Sequence, residues 1–280
     1  MTPDNPSPET LLEGRVFGES ARWHEGRLWF SDWGTQEIIA MQPDGRSETM
    51  VRLPFNTFPF CFDWTPDGRL LILSASSRPL LRRESDGFLV AHADLSGLPA
   101  RGWNEITVDS RGNAYINGSD FDLMGGGKFS PGIIALVRPD GAARQVADGI
   151  AFPNGIIVTP DNSTLIVAES YAKRLTAFDI APDGNLSNRR TWAHLGDGVP
   201  DGICLDDKNR VWYGDVPNKR CVLVREGGEV LQTIHLDRGC FSCVLGGANK
   251  QTLYMLATEW HGPKKMFDGP PTGQVRTVYI

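Results

Sequence analysis

The sequence is short of the features that mark several protein classes. Its 280 residues hold only five cysteines, an odd number spread along the chain, which is not the dense, even set of a disulfide framework. A reducing, cytoplasmic setting is the expectation that follows. Long apolar runs are missing: stretches such as Gly132–Val137 fall far short of the ~18–20 residues that span a bilayer, so no membrane partner is expected. Residues Met1–Glu13 are polar and proline-rich, with neither a basic nor an apolar signal region, so secretion is not expected either. Basic blocks are absent too. With 28 Lys and Arg against 34 Asp and Glu, a net charge of −6, the chain has no footprint for a phosphate backbone, and no nucleic-acid partner is expected. No segment sustains a 3.6-residue apolar period between caps, so helices must be few.

What the chain does have is a repeat, punctuated by 31 glycines and 19 prolines. Six segments read as a strand, a tight turn and a second apolar strand, starting at Ala21, Phe62, Ile106, Ile156, Ile203 and Cys243. Aligning the first apolar residue after each turn gives Leu28, Leu70, Ala114, Leu165, Val211 and Leu253, with spacings of 42, 44, 51, 46 and 42. A second strand pair follows five of the six hairpins, around turns such as Pro43-Asp44-Gly45, Pro139-Asp140-Gly141 and Pro182-Asp183-Gly184. Asp-Gly between alternating apolar residues is a strong hairpin signal. Four strands in each of six repeats predict an all-β, six-bladed β-propeller over residues 1–280. The alternative is a pair of unclosed β-sandwiches. After Gly273 only one strand, Gln274–Ile280, remains, so an N-terminal strand at about residues 11–16 is expected to close the last blade, behind a flexible tail at residues 1–10.

In a propeller the start of each innermost strand and the loop after each second strand share one face. Counting back 9 to 11 residues from the aligned positions reaches Glu19, Phe60 or Cys61, Asn104, Asn154, Asp201 and Ser242 or Cys243. Four of the six repeats therefore place a carboxylate or carboxamide at one height. Taken singly, Asn154-Gly155 and Pro200-Asp201-Gly202 read as ordinary turns. Four in register point instead to oxygen ligands converging on one axis, which suits a hard divalent cation such as Ca²⁺, Mg²⁺ or Mn²⁺.

Gly18-Glu19 before a Trp-rich hairpin, Asn154-Gly155 before Thr159-Pro160-Asp161, and Pro200-Asp201-Gly202 before Asp206 resemble the senescence marker protein (regucalcin)/gluconolactonase/luciferin-regenerating-enzyme family over nearly the whole chain. The resemblance implies a six-bladed propeller with a divalent metal in the central channel and hydrolysis of sugar lactones. It implies Glu19, Asn154 and Asp201 as metal ligands, Asp201 also as general base, and Asn104 as the substrate-contacting asparagine. Ca²⁺ is the first choice of cofactor, with Mg²⁺, Mn²⁺ and Zn²⁺ as alternatives, and the expected partner is a small lactone. Two departures bear on the substrate: Arg101 lies three residues before Asn104 where sugar-lactone members carry Arg-x-Asn, and the acid expected in the following loop has no fixed place, with Asp120 and Asp122 as the candidates. Other members act on phosphotriesters, which is the alternative activity. A calcium-binding or interaction propeller without catalysis is the alternative outside enzymes.

The 51-residue spacing carries its excess between Asn117 and Pro131, a loop expected on the ligand face as a lid or an ordinary excursion. Trp33, Tyr171, Trp260 and His261 fall on equivalent loops and either wall a pocket or pack between blades. Cys240-x2-Cys243 has no second Cys pair in sequence and is not read as zinc. No Gly-x-Ser-x-Gly elbow is present, so serine-hydrolase chemistry has no foothold.

Overall fold

The computed structural model describes residues 7–54, 57–74, 79–121 and 126–280. Among these the secondary structure is strands apart from two three-residue 3-10 turns, and no helix is long and apolar enough to cross a membrane. Of the tail expected at residues 1–10, residues 1–6 lie outside the described residues, as does Asp122. Glu9 and Thr10 already belong to the closing strand, which runs Glu9–Arg15 rather than from about residue 11 to 16.

The strands form six four-stranded antiparallel sheets, the blades of a six-bladed β-propeller rather than two sandwiches. The chain divides into two compact units, residues 1–55 with 193–280, and residues 56–192. The first unit opens with β1 (Glu9–Arg15) and the sheet β2 (Gly18–His24), β3 (Arg27–Asp32), β4 (Glu37–Met41) and β5 (Ser47–Arg52). The second unit carries three sheets. They are β6 (Phe60–Trp64), β7 (Leu70–Ser74), β8 (Pro79–Arg83) and β9 (Leu89–Asp94), then β10 (Gly102–Val108), β11 (Ala114–Ser119), β12 (Gly132–Val137) and β13 (Ala143–Ile150), then β14 (Pro153–Val158), β15 (Thr164–Glu169), β16 (Arg174–Ile180) and β17 (Leu186–His194). The chain then completes the first unit with β18 (Pro200–Leu205), β19 (Val211–Asp215), β20 (Arg220–Val224) and β21 (Val230–His235), and with β22 (Gly239–Gly246), β23 (Thr252–Thr258) and β24 (Gly273–Tyr279). The last sheet has only three strands of its own, and β1 pairs antiparallel with β24 to make the fourth.

Burial explains the sequence pattern. Inner strands such as β4 and β19 are buried throughout, covered on both faces, and carry the apolar stretches Ile38–Met41 and Val211–Tyr213. The outermost strands β5 and β21 are largely exposed. Apolar layers lie between consecutive sheets of a unit. One joins Leu28, Phe30 and Met41 to Tyr254 and Leu256; another joins Leu71 and Leu73 to Ile106 and Ile116. The Asp-Gly turns close as their chemistry requires: Gly45 and Gly184 adopt φ of 88° and 83°, a region open to glycine and costly for branched residues.

Candidate active site

The innermost strands share a local irregularity that the repeat pattern does not disclose. In five of the six sheets the pairing of the innermost strand with its neighbour shifts register near its first residues. The shift falls between Glu19 and Arg22, Trp103 and Glu105, Pro153 and Ile156, Pro200 and Ile203, and Cys240 and Ser242. Only β6 pairs with β7 without a break, and its expected residues are the apolar Phe60 and Cys61. A bulge inserts one unpaired residue and re-aims the side chains around it. Asn104 is the extra residue of β10, while Asn154-Gly155 and Asp201-Gly202 lie inside the shifts of β14 and β18. Glu19 stands at the edge of the β2 shift, followed by Ser20 at φ 53°. Glu19, Asn154 and Asp201 are each the second residue of their strand.

In the first unit Glu19 is buried. Its Oε2 accepts the Ser20 amide at 3.2 Å and its carbonyl accepts the Ser31 hydroxyl at 3.1 Å. Strand β22 packs against both β2 and β18. Its Ser242 Oγ accepts the Ala21 amide at 3.0 Å and lies 2.7 Å from where a Cβ on Gly202 would sit. Ser242 is thus bonded to the strand of Glu19 and lies close against that of Asp201, and Asp201 beside Gly202 is half-buried.

In the second unit the two asparagines are joined. Asn104 Nδ2 donates to the Pro153 carbonyl at 3.0 Å and to Asn154 Oδ1 at 3.3 Å, while Asn154 Nδ2 faces Ser170 Oγ at 3.5 Å. The Asn154 amide is oriented from both ends, with its oxygen turned toward Asn104. Two neighbours escape the sequence reading. Asn117, fully buried on β11, donates from Nδ2 to the Asn154 carbonyl at 2.6 Å, and its Oδ1 has no hydrogen-bond partner among the described residues. Glu105, beside the bulged Asn104, is buried and accepts the Ile106 amide at 3.0 Å. A hydrophilic residue inside an apolar strand was the only available signal for either.

The other expected residues fall into distinct settings. Arg101 and Asp120 are exposed and face each other, Nε to Oδ1 at 3.5 Å. Trp33 is buried and stacks on Phe17 at 5.3 Å; Phe241 and Trp260 extend that cluster. His261 is exposed beside Glu259. Tyr171, 52% exposed, stacks on Phe152 at 4.7 Å and meets Phe129 at 5.3 Å, with Phe121 behind. Phe152 sits at φ 60°, unusual for a bulky side chain, two residues before Asn154. Cys240 and Cys243 are joined in the core by Cys204 and Cys221, with Cys204 and Cys243 sulfurs 4.0 Å apart. Among the described residues no group of three or more His, Cys, Asp or Glu side chains is arranged to hold a metal.

A family model described as the SMP-30/Gluconolactonase/LRE-like region matches residues 17–259. Diisopropyl-fluorophosphatase of Loligo vulgaris is 30% identical over 161 residues, 52% of this chain, so the match spans about half of that relative's length (51%). L-arabinolactonase of Azospirillum brasilense is 24% identical over 223 residues, 78% of this chain and 72% of that protein. Among solved structures, the calcium-binding protein regucalcin of Agrobacterium tumefaciens strain C58 superposes with a TM-score of 0.78 at 19% identity, covering 98% of this chain and 93% of its own. At that identity the likeness shows the propeller fold.

Proposed function

The chain belongs to the SMP-30/gluconolactonase/LRE-like family, and on that premise we propose that it is a metal-dependent hydrolase of small lactones, sugar lactones first. One observation carries the reading: Glu19, Asn154 and Asp201 are each the second residue of their innermost strand and each stands at a register shift, the kind of irregularity that redirects side chains. The donor set suits a hard cation. Two carboxylates and one carboxamide oxygen balance a 2+ charge with oxygen alone, and the Asn154 amide has its oxygen oriented by Asn104 and Ser170.

A divalent cation held by these oxygens, Ca²⁺ before Mg²⁺, Mn²⁺ or Zn²⁺, would supply Lewis-acid polarisation of the lactone carbonyl. The chain's own residues do the rest. Asp201 orients the attacking water and accepts its proton at a carboxylate oxygen. Asn104, whose Nδ2 is engaged by Pro153 and Asn154, turns its Oδ1 to a substrate hydroxyl. Arg101 with Asp120 offers a charged pair for ring hydroxyls, Tyr171 offers an exposed aromatic face, and Trp33 contributes a buried aromatic stacked on Phe17.

Chelated protein supplied again with cation should hydrolyse gluconolactone or xylonolactone in a pH-stat. Asp201→Asn, which keeps an oxygen donor, should retain calorimetric Ca²⁺ binding yet lose about 10²–10⁴-fold in kcat. Full activity in Asp201→Asn and Asp201→Ala would refute the assignment. The resemblance to diisopropyl-fluorophosphatase favours a second reading, phosphotriester hydrolysis on the same residues. Cleavage of a phosphotriester with no lactone turned over would establish it, and turnover of neither would leave a calcium-binding propeller without catalysis.

A further inference from the structure

The second strand of every sheet ends opposite the first residue of the innermost strand, and the residue at that end differs between sheets in a telling way. In the three sheets that carry Glu19, Asn154 and Asp201 it is an acid: Asp32 opposite Gly18, Glu169 opposite Pro153, Asp215 opposite Pro200. In the other three it is a hydroxyl: Ser74 opposite Phe60, Ser119 opposite Gly102, Thr258 opposite Gly239. All three acids are fully buried.

Each acid grips the backbone just ahead of its ligand strand. Asp32 accepts the Phe17 amide at 3.1 Å and the Val16 amide at 3.2 Å, with Gly34 at 3.2 Å completing the turn. Glu169 Oε2 accepts the Ala151 amide at 2.7 Å, and its Oε1 accepts from Thr176 at 2.5 Å and Arg174 at 2.9 Å. Asp215 Oδ1 accepts the Val199 amide at 3.3 Å, and its Oδ2 accepts Arg220 Nε at 2.8 Å. A charged acceptor makes a hydrogen bond to a backbone amide roughly twice as strong as a neutral one. By contrast Ser74 donates to the Thr57 carbonyl at 2.6 Å, and the buried Thr258 hydroxyl has no hydrogen-bond partner among the described residues.

We propose that Asp32, Glu169 and Asp215 are positioning residues for cation binding, each fixing the lead-in to one ligand strand so that Glu19, Asn154 and Asp201 stay aimed. The inference rests on the ligand set proposed above and adds three residues that touch neither cation nor substrate. They hold the backbone two or three residues upstream of each ligand, where a small rotation displaces the donor oxygen.

The test compares calorimetric Ca²⁺ titration with the melting temperature of chelated protein, which a merely structural role would move without changing affinity. Asp32→Ala, Glu169→Ala and Asp215→Ala should each weaken Ca²⁺ binding by about tenfold or more, while Ser74→Ala and Thr258→Ala stay within about twofold of wild type. Asp32→Asn, Glu169→Gln and Asp215→Asn, which keep one acceptor oxygen, should recover part of the loss. Where an alanine variant does not fold, its amide counterpart is titrated, and wild-type affinity there counts against the proposal. Folded alanine variants with wild-type affinity, or controls weakened as much as the acids, would overturn it. Wild-type protein that takes up no Ca²⁺ would overturn the ligand set and this inference together, so the two failures are distinct.

Discussion

Glu169 shows how a single side chain can be enclosed and still ionised. Burial pushes its carboxyl up, but the hydrogen bonds from Thr176 and the Ala151 amide, with the Arg174 charge, outweigh that and hold it below its ordinary value of 4.5. A folded value below the unfolded one stabilises the protein fully above the unfolded value and loses that contribution as pH falls through the folded one. Wild type should therefore exceed Glu169→Gln by about 1–3 kcal/mol at neutral pH, in urea unfolding, with the gap closing as pH drops below about 4.5. A gap constant with pH would mean that the charge contributes nothing. The residue scale is also where legibility in sequence stopped short. Glu19, Asn154 and Asp201 were visible because turn-type residues recur at a fixed count behind aligned apolar positions. Asp32, Glu169 and Asp215 recur in the same alignment, yet an acid at a strand end reads as a turn residue, and its grip on a backbone amide has no sequence mark. Asn117 has less still, a lone amide among apolar neighbours.

At the scale of the strand, Gly202 sets how closely β18 approaches β22. A Cβ there would lie 2.7 Å from Ser242 Oγ and 2.8 Å from the Phe241 carbonyl, so Gly202→Ala must push the two strands apart. Overpacking of this kind costs about 1–3 kcal/mol. Because Gly202 follows Asp201, the same shift should weaken Ca²⁺ binding, read by calorimetry beside thermal unfolding. Gly97→Ala, at a site with nothing within 4 Å, is the control and should change neither. Unaltered affinity in a destabilised Gly202→Ala would separate the strand contact from the proposed ligand. The hairpins themselves were legible because Asp-Gly turns and continuous apolar runs have direct physical causes, positive φ and burial on both faces. The bulges were not: an inserted residue changes pairing without changing composition, so counting back from Leu165 or Val211 finds Asn154 and Asp201 but not the local re-aiming.

Across the whole molecule, the apolar layers and the proposed ligands are different sets of residues. In the first unit the cores run through Leu28, Phe30, Trp212, Leu253 and Met255, and in the second through Leu71, Ile116, Ile134, Leu165 and Val167; none contains Glu19, Asn154 or Asp201. Small domains stapled by a metal unfold when it is removed, because the ligands are their core. Here burial of apolar surface between sheets stands without any cation, so chelation should leave the far-UV circular dichroism of the β-sheet unchanged. Binding still contributes by mass action. Free Ca²⁺ at about a hundred times its dissociation constant adds ~2.7 kcal/mol to the folded state. For a chain of this length that corresponds to a rise in melting temperature of roughly 4–5 °C. Thermal unfolding with and without Ca²⁺ should show that shift in wild type and not, at the same concentration, in Glu19→Ala, which removes an oxygen donor outright. Loss of β-sheet signal on chelation would make the cation a structural element of the fold. An unshifted melting temperature at saturating Ca²⁺ would remove the cation, and with it the lactonase reading built on Glu19, Asn154 and Asp201.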